Sequence, residues 1–225
     1  MKAVVLFSGG ADSTTLLASV LQNVPAEEVL ALNVFYGQRH EREMQSAREI
    51  AECYGVELMT LDLAEIFSRS NCSLLSKSAK PVKIGPYAEQ IRKSGGNPVE
   101  TYVPFRNGLM LSAAASVAFS IGADTVYYGA HADDAAGNAY PDCSTAFIKA
   151  MNDAVYQGTG GEVVIDAPFA MVNKSEVIKV GIRLRVPYEK TWSCYNGGEH
   201  PCGKCGTCID RKAAFEANGV KDPLQ

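Results

Sequence analysis

The sequence lacks any apolar stretch long enough to cross a bilayer, and it has no basic-then-apolar leader, since Met1-Lys2-Ala3 runs directly into β-branched residues. The cytoplasm is therefore the expected location. An excess of positive charge is also missing. The 21 Lys and Arg are outnumbered by 25 Asp and Glu, for a net charge of −4, which argues against nucleic acid or an anionic membrane as partner. Neither common phosphate-loop spelling occurs: no Lys follows an early glycine pair as G-x-x-x-x-G-K-[ST] requires, and G-x-G-x-x-G is absent. There is no internal repeat and no heptad run. Seven cysteines are present, but without a leader they read as thiols or metal ligands rather than a disulfide framework.

What is present suits one α/β domain with a small appendage. The chain has 225 residues, 47% of them apolar, enough for a sizeable core. Five β-branched apolar runs read as strands, at residues 2–7, 28–35, 56–61, 125–129 and 162–167. Helical stripes lie between them. Leu16, Leu17, Val20 and Leu21 form one. Met44, Ala47, Ala51 and Tyr54, closed by Gly55, form another. Residues 109–121 are apolar nearly all round and end at Gly122, which suits a helix buried between neighbours. Phe147, Met151, Ala154 and Val155 give a further face, and Asn173-Lys174-Ser175-Glu176 spells a capping box that opens the last helix before Pro187. Alternation of strand and helix predicts an open, Rossmann-like parallel sheet of about five strands with helices on both faces. Residues 68–100 are polar and without clear period. They hold Lys77, Lys80, Lys83, Arg92 and Lys93, so they read as a flexible loop, either a solvated surface or a lid for an anionic ligand.

The polar clusters sit where strands end: residues 8–13 after the first, 36–40 after the second, His131 to Asp134 after the fourth, and Asn173-Lys174 shortly after the fifth. Open parallel sheets bind ligands along that carboxyl edge. In the first cluster, Ser8-Gly9-Gly10-Ala11-Asp12-Ser13, paired glycines let the backbone approach an anion and the following helix offers free N–H groups. Gly-Gly at a strand end is also a common tight turn. The spelling S-G-G-x-D-S resembles the pyrophosphate loop of the N-type ATP pyrophosphatases, whose fold is the adenine nucleotide alpha hydrolase type. That resemblance implies cleavage of ATP between its α and β phosphates, ATP contacts spread over Phe7, Ser8, Gly9, Gly10, Ala11, Asp12, Ser13, Thr14, Thr15, Leu16 and Leu17, and Mg²⁺ near Asp12.

At the other end, Cys194, Cys202, Cys205 and Cys208 have the spacing C-x7-C-x2-C-x2-C among glycines. Four thiolates favour a closed tetrahedral Zn²⁺ site, with Lys204, Arg211 and Lys212 near enough in sequence to offset its negative charge. A redox pair and an iron–sulfur cluster are the rival readings. His200 reads as surface, and Cys53, Cys72 and Cys143 as packed or incidental thiols. The expected division is a nucleotide-binding unit over 1–190 and a zinc knot over 191–225.

Both motifs together, with "YGQRHEREM" (36–44), "VPFRN" (103–107), "YPDC" (140–143) and "NKSE" (173–176), resemble the 7-cyano-7-deazaguanine synthase (QueC) family over nearly the full length. The resemblance implies an ATP-dependent ligase, a zinc protein and typically a homodimer, that converts 7-carboxy-7-deazaguanine and ammonia to the nitrile preQ0 for queuosine. Phe105 in VP-x-RN and the length of residues 131–143 depart from the familiar pattern. Ser8, Asp12, Arg106 and Lys174 are the catalytic candidates. Arg39, His40, Asn107, His131, Asp133 and Asp142 are candidates for substrate. A related enzyme activating another carboxylate or amide shares the loop, and a non-catalytic zinc-knot module is the alternative of a different class.

Overall fold

The computed structural model describes residues 1–225. Its centre is a five-stranded, wholly parallel sheet in the order β3-β2-β1-β4-β5, with β1 at Ala3–Leu6, β2 at Val29–Phe35, β3 at Glu57–Asp62, β4 at Thr125–Tyr127 and β5 at Val164–Asp166. All five expected strands form, and the last two are shorter than their apolar runs. Helix α1 (Ala11–Val20) follows β1, and α2 (Arg42–Tyr54) links β2 to β3. Helix α3 (Tyr87–Ser94) and the long α4 (Arg106–Ile121) lead to β4. Helices α5 (Ala132–Ala135) and α6 (Thr145–Gly158) precede β5, and α7 (Lys174–Arg183) and α8 (Gly206–Glu216) complete the chain.

Strand periodicity divides the core in two, because successive side chains leave opposite faces of a strand. Val4 and Leu6 join Leu30, Leu32 and Val126 against Leu111, Ala114 and Ala118 of α4. Ala3 and Val5, with Phe7, join Val29 and Ala31 against Leu16 and Leu17 of α1, Ile50 of α2 and Val177 of α7. Both faces of the central strand are covered, which is why β1 reads as an unbroken apolar run.

The helix signals hold at the residue level. Gly55 and Gly122 cap α2 and α4 in the left-handed conformation, at φ 66° and 70°. Asn173 Oδ1 accepts from Glu176 N at 3.0 Å while Glu176 Oε2 accepts from Asn173 N at 2.9 Å, the reciprocal capping box. Two helices carry no such signal. α3 lies within the segment expected to be a structureless loop, and α8 follows the cysteine cluster. The 68–100 segment is folded onto the body: Cys72, Leu74, Leu75 and Val99 are buried, the first three packing with Tyr36, Phe67 and Val103. Its period was hidden because the buried residues are few and irregularly spaced.

The terminal segment packs on the sheet unit rather than beside it. Ala214 and Phe215 of α8 share a cluster with Ala11, Ala18 and Ile178. Arg211 is wholly committed there. Its guanidinium meets both oxygens of Asp222 at 2.8 and 3.0 Å and also donates to Thr191 Oγ1 and Tyr188 O. It is therefore a structural cation, not the counter-charge for the thiolates expected from sequence proximity.

Candidate active site

Residues 8–13 leave β1 and turn directly into α1. Gly9 has φ 80°, and a Cβ there would lie 2.5 Å from Ala47 N and 2.8 Å from Glu43 O, so the turn is pressed against the backbone of α2. The loop is braced from within: Ser8 N donates to Ser13 Oγ at 3.2 Å, Gly10 N to Ser8 Oγ at 3.2 Å, and Trp192 N to Gly9 O at 3.0 Å. Gly10, the residue preceding α1, supplies no side-chain cap. The first-turn N–H groups therefore face outward with the positive end of the helix dipole, the arrangement that binds a phosphate.

That turn opens into a cavity of about 290 Å³ lined by Phe7, Ser8, Gly10, Asp12 and Ser13 and by the ends of β2 and β4. Of the residues to which the resemblance assigned ATP, Thr14, Thr15, Leu16 and Leu17 are buried away from it. Thr14 Oγ1 donates to Gly10 O at 2.7 Å, Thr15 Oγ1 donates to Ala11 O at 2.8 Å and bonds Tyr188 OH, and the two leucines belong to the core. Gly9 and Ala11 are also not among the lining residues, and the side chains of Thr14, Thr15, Leu16 and Leu17 hold the turn from behind.

Beside the loop, Lys174 Nζ donates to Asp12 Oδ2 at 2.6 Å, joining the first and last expected polar clusters across 162 residues of sequence. Burial works against the charge on each, but their mutual attraction wins: the Asp12 carboxyl sits below the usual carboxylate range and the Lys174 ammonium above its own. Asp12 Oδ1 is buried with no protein partner, an oxygen that could hold a cation. His131 is 5% exposed and lies with Nε2 at 3.8 Å from Asp12 Oδ2 and 3.5 Å from Asp134 Oδ2. Asp133 Oδ2 accepts from Lys174 N at 2.8 Å. Asp134 and Asp210 also line this side, and burial raises the pKa of both.

On the opposite side, Arg106 lies over the Tyr36 ring at 4.9 Å, and its only hydrogen bonds are to Asn107 Oδ1 at 3.4 Å. It forms no salt bridge, although the Asp142 carboxylate favours its charge from a distance. Asp142 does not enter the cavity. It is 2% exposed, and its two oxygens accept from Asn107 N at 3.0 Å and Asn107 Nδ2 at 3.1 Å, so it anchors the start of α4. Asn107 lines the cavity but its amide N–H is spent on that anchor and on Cys143 Sγ.

Arg39, His40 and Phe105 are not among the residues that line the cavity. The Arg39 guanidinium donates to the carbonyls of Ser73, Ser78 and Lys80, clamping the 73–80 segment. His40 packs on Gly197 at the cysteine knot and lies outside the cavity. Phe105 is exposed, edge-on to Phe147 at 5.9 Å, rather than placed to read substrate. Sequence reasoning passed over Glu43, Tyr36, Tyr128, Tyr87, Tyr140, Tyr195 and Asp210, which all line the cavity. For Glu43 a signal existed: it breaks the expected polarity of a half-buried helix stripe. The tyrosines come from five separate segments, which no spacing could join.

The four thiols of Cys194, Cys202, Cys205 and Cys208 converge so that all Sγ atoms lie within 4.8 Å of one another, enough to hold a metal ion. Main-chain N–H groups donate to the sulfurs: Cys202 N to Cys194 Sγ at 3.3 Å, and Lys204 N and Cys205 N to Cys202 Sγ at 3.4 Å each. Such donors stabilise thiolates, so the residues fit a bound cation. The knot also touches α3. Gly85 N donates to Lys204 O at 3.0 Å, and Tyr87 packs on Gly206.

The family model described as "Queuosine biosynthesis protein QueC" matches residues 2–219. The chain belongs to the QueC family. This QueC-family chain is 43% identical over 225 residues to the 7-cyano-7-deazaguanine synthase of Archaeoglobus fulgidus, covering all of this chain and 90% of the relative. It is 42% identical over 223 residues to the enzyme of the same name from Psychromonas ingrahamii, covering 99% and 96%. Among solved structures, the U34-tRNA thiolase NcsA from Methanococcus maripaludis with its [4Fe-4S] cluster aligns with a TM-score of 0.51 at 17% identity, over 97% of this chain and 66% of that one. NMN synthetase from Francisella tularensis aligns with a TM-score of 0.51 at 18% identity, over 98% and 78%. These two likenesses concern the fold alone.

Proposed function

We propose that the chain is an ATP-dependent ligase that converts 7-carboxy-7-deazaguanine and ammonia to 7-cyano-7-deazaguanine. The observation that carries this reading is the whole-length match to synthases of that name in a chain whose open helix N-terminus faces a cavity with an unpartnered Asp12 oxygen.

A carboxylate resists attack by ammonia because oxide is a poor leaving group. Attack of its oxygen on the α phosphorus of ATP forms a mixed anhydride and expels pyrophosphate. Ammonia then displaces AMP to give the amide. A second attack on ATP by the amide oxygen expels another pyrophosphate, and loss of AMP and both amide protons then leaves the nitrile. The loop is suited to the pyrophosphate: Ser8, Ser13 and the first N–H groups of α1 donate, and they are held in place before charge develops. Lys174 offsets phosphate charge at the cost of its bond to Asp12, which frees that carboxylate. Mg²⁺, if bound with ATP, would supply further neutralisation, and Asp12 Oδ1 is the oxygen available to hold it. The acidic side, with Asp12, Asp133, Asp134 and Asp210, suits ammonium, and His131, which lines the same side, would take a proton from it.

Zn²⁺ is the ion best matched to four thiolates, and its role is structural because the knot keeps no position for substrate. The active form is a homodimer in the cytoplasm, as the resemblance implies. Mass spectrometry of a mixture of protein, ATP, ammonium and 7-carboxy-7-deazaguanine tests the reading. The nitrile together with AMP is expected. Nitrile with ADP alone refutes AMP transfer, and no nitrile from this acid, with turnover of another, refutes the substrate.

A further inference from the structure

The cavity contains an acid and a cation that the loop chemistry does not use. Glu43 stands in the first turn of α2, lines the cavity and makes no hydrogen bond within the protein. Arg106 is the charged group that faces it, yet the two are not ion-paired with one another. Tyr36 lies against both, with the Arg106 guanidinium over its ring, and Tyr128 and Tyr195 complete the walls. Leaving a carboxylate and a guanidinium side by side in a partly desolvated slot, each short of partners, is unfavourable for the free protein. A ligand edge that satisfies both would remove that penalty.

The chemistry of such an edge is specific. A carboxylate accepts two parallel N–H donors, and an adjacent guanidinium donates to a carbonyl oxygen. Two N–H groups followed by a carbonyl is the edge of a 2-aminopyrimidin-4-one, with its amino group, its ring N–H and its oxo group in line. A flat ring suits a cavity walled by Tyr128 and Tyr195. We propose that Glu43 and Arg106 together read the aminopyrimidinone edge of the substrate, Glu43 taking the amino and ring N–H groups and Arg106 the oxo group.

This assignment rests on the ligase reading above and gives its substrate an orientation. The carboxylate on the five-membered ring neighbours the oxo group, so this placement sets the reacting group on the Arg106 side, away from the Glu43 carboxylate. The reverse placement, with the substrate carboxylate at Glu43, sets two carboxylates side by side. Adenine offers one N–H donor beside a ring acceptor, so it cannot fill the same role.

Steady-state kinetics of wild type, Glu43→Gln and Arg106→Lys, each with 7-carboxy-7-deazaguanine and with its analogue lacking the 2-amino group, test the assignment. Zinc content and melting temperature serve to check the fold. For the guanine acid, Glu43→Gln is expected to raise KM by about 10–100-fold, the loss of a charged bidentate contact, with KM for ATP within about twofold of wild type. It is also expected to erase most of the wild-type preference for the guanine acid over the analogue. Arg106→Lys, which keeps charge but loses the planar fork, is expected to raise KM for both acids alike. A preference undiminished in Glu43→Gln, or an increase confined to KM for ATP, overturns the edge assignment alone. A wild-type protein that turns over neither acid overturns the ligase reading and the assignment together.

Discussion

The two glycines at positions 9 and 10 are neighbours in sequence but differ in what they do, and replacing each by alanine separates folding from ligand binding. At Gly9 a side chain meets two obstacles. Its φ of 80° costs an L-residue roughly 1–2 kcal/mol. The new Cβ would also lie 2.5 Å from Ala47 N and 2.8 Å from Glu43 O, backbone atoms that move only if α2 moves. Such overpacking adds about 1–3 kcal/mol. After allowance for the reduced freedom of the unfolded chain, about 0.4–1 kcal/mol in the other direction, Gly9→Ala should lose about 2–4 kcal/mol. For a domain of this size that lowers the melting temperature by about 5–15 °C. Gly10 has an ordinary φ of −79°, and its Cβ would meet only Ser8 Oγ at 3.2 Å and Trp192 O at 3.4 Å. Gly10→Ala should stay within about 1 kcal/mol of wild type. Yet Gly10 lines the cavity, and a methyl group there stands where a phosphate oxygen would approach, so ATP affinity should fall at least tenfold. Urea denaturation and calorimetric titration with ATP read the two effects separately. If Gly9→Ala is as stable as wild type, or Gly10→Ala binds ATP normally, the close-approach account of this loop is wrong.

Gly181→Ala should destabilise by about 2–4 kcal/mol, because its Cβ would collide with Tyr188 OH and with Thr15 Oγ1 at 2.7 Å where α1 meets α7. Partial recovery in the double variant with Tyr188→Phe, measured by denaturation, checks that cause. Chelation of the metal, or Cys205→Ser, should release residues 83–94 before the sheet, since Gly85 and Tyr87 rest on the knot. Hydrogen exchange that shows the sheet opening first contradicts that coupling. Burial raises the Glu43 carboxyl from 4.5 to about 7, Arg106 offsetting part of it, so the folded state loses stability as pH climbs through that window and keeps it below pH 4.5. Glu43→Gln should therefore be more stable than wild type by about 1–2 kcal/mol at pH 8, a ceiling of about 3 reduced for solvent screening, and nearly equal to it at pH 5. Equal gains at both pH values, by denaturant titration, argue that Glu43 is not buried in an ionisable state.

The five strands, their alternation with helices and the clustering of polar residues where strands end were legible in the sequence, because strand and helix periods are local and apolar runs on both faces require a parallel sheet. The four cysteines were legible for the same reason: short spacing leaves the chain little choice but to bring their sulfurs together. Polar contacts made at long range were not. Whether Arg39 meets a ligand or three carbonyls of the 73–80 segment, and whether Asp142 enters the cavity or anchors Asn107, depends on where distant segments dock. Spacing is silent on that.

From the sequence alone came a parallel α/β sheet, a turn built to receive an anion and a thiol knot, each set by residues within about twenty positions of one another. Only the tertiary structure decided which charges are spent on the fold and which remain free. It paired Lys174 with Asp12, bound Arg211 to Asp222, and left Glu43 and Arg106 facing one cavity without each other. A charge is neutralised by what lies beside it in space, and in this fold those neighbours come from segments 11 to 162 residues apart.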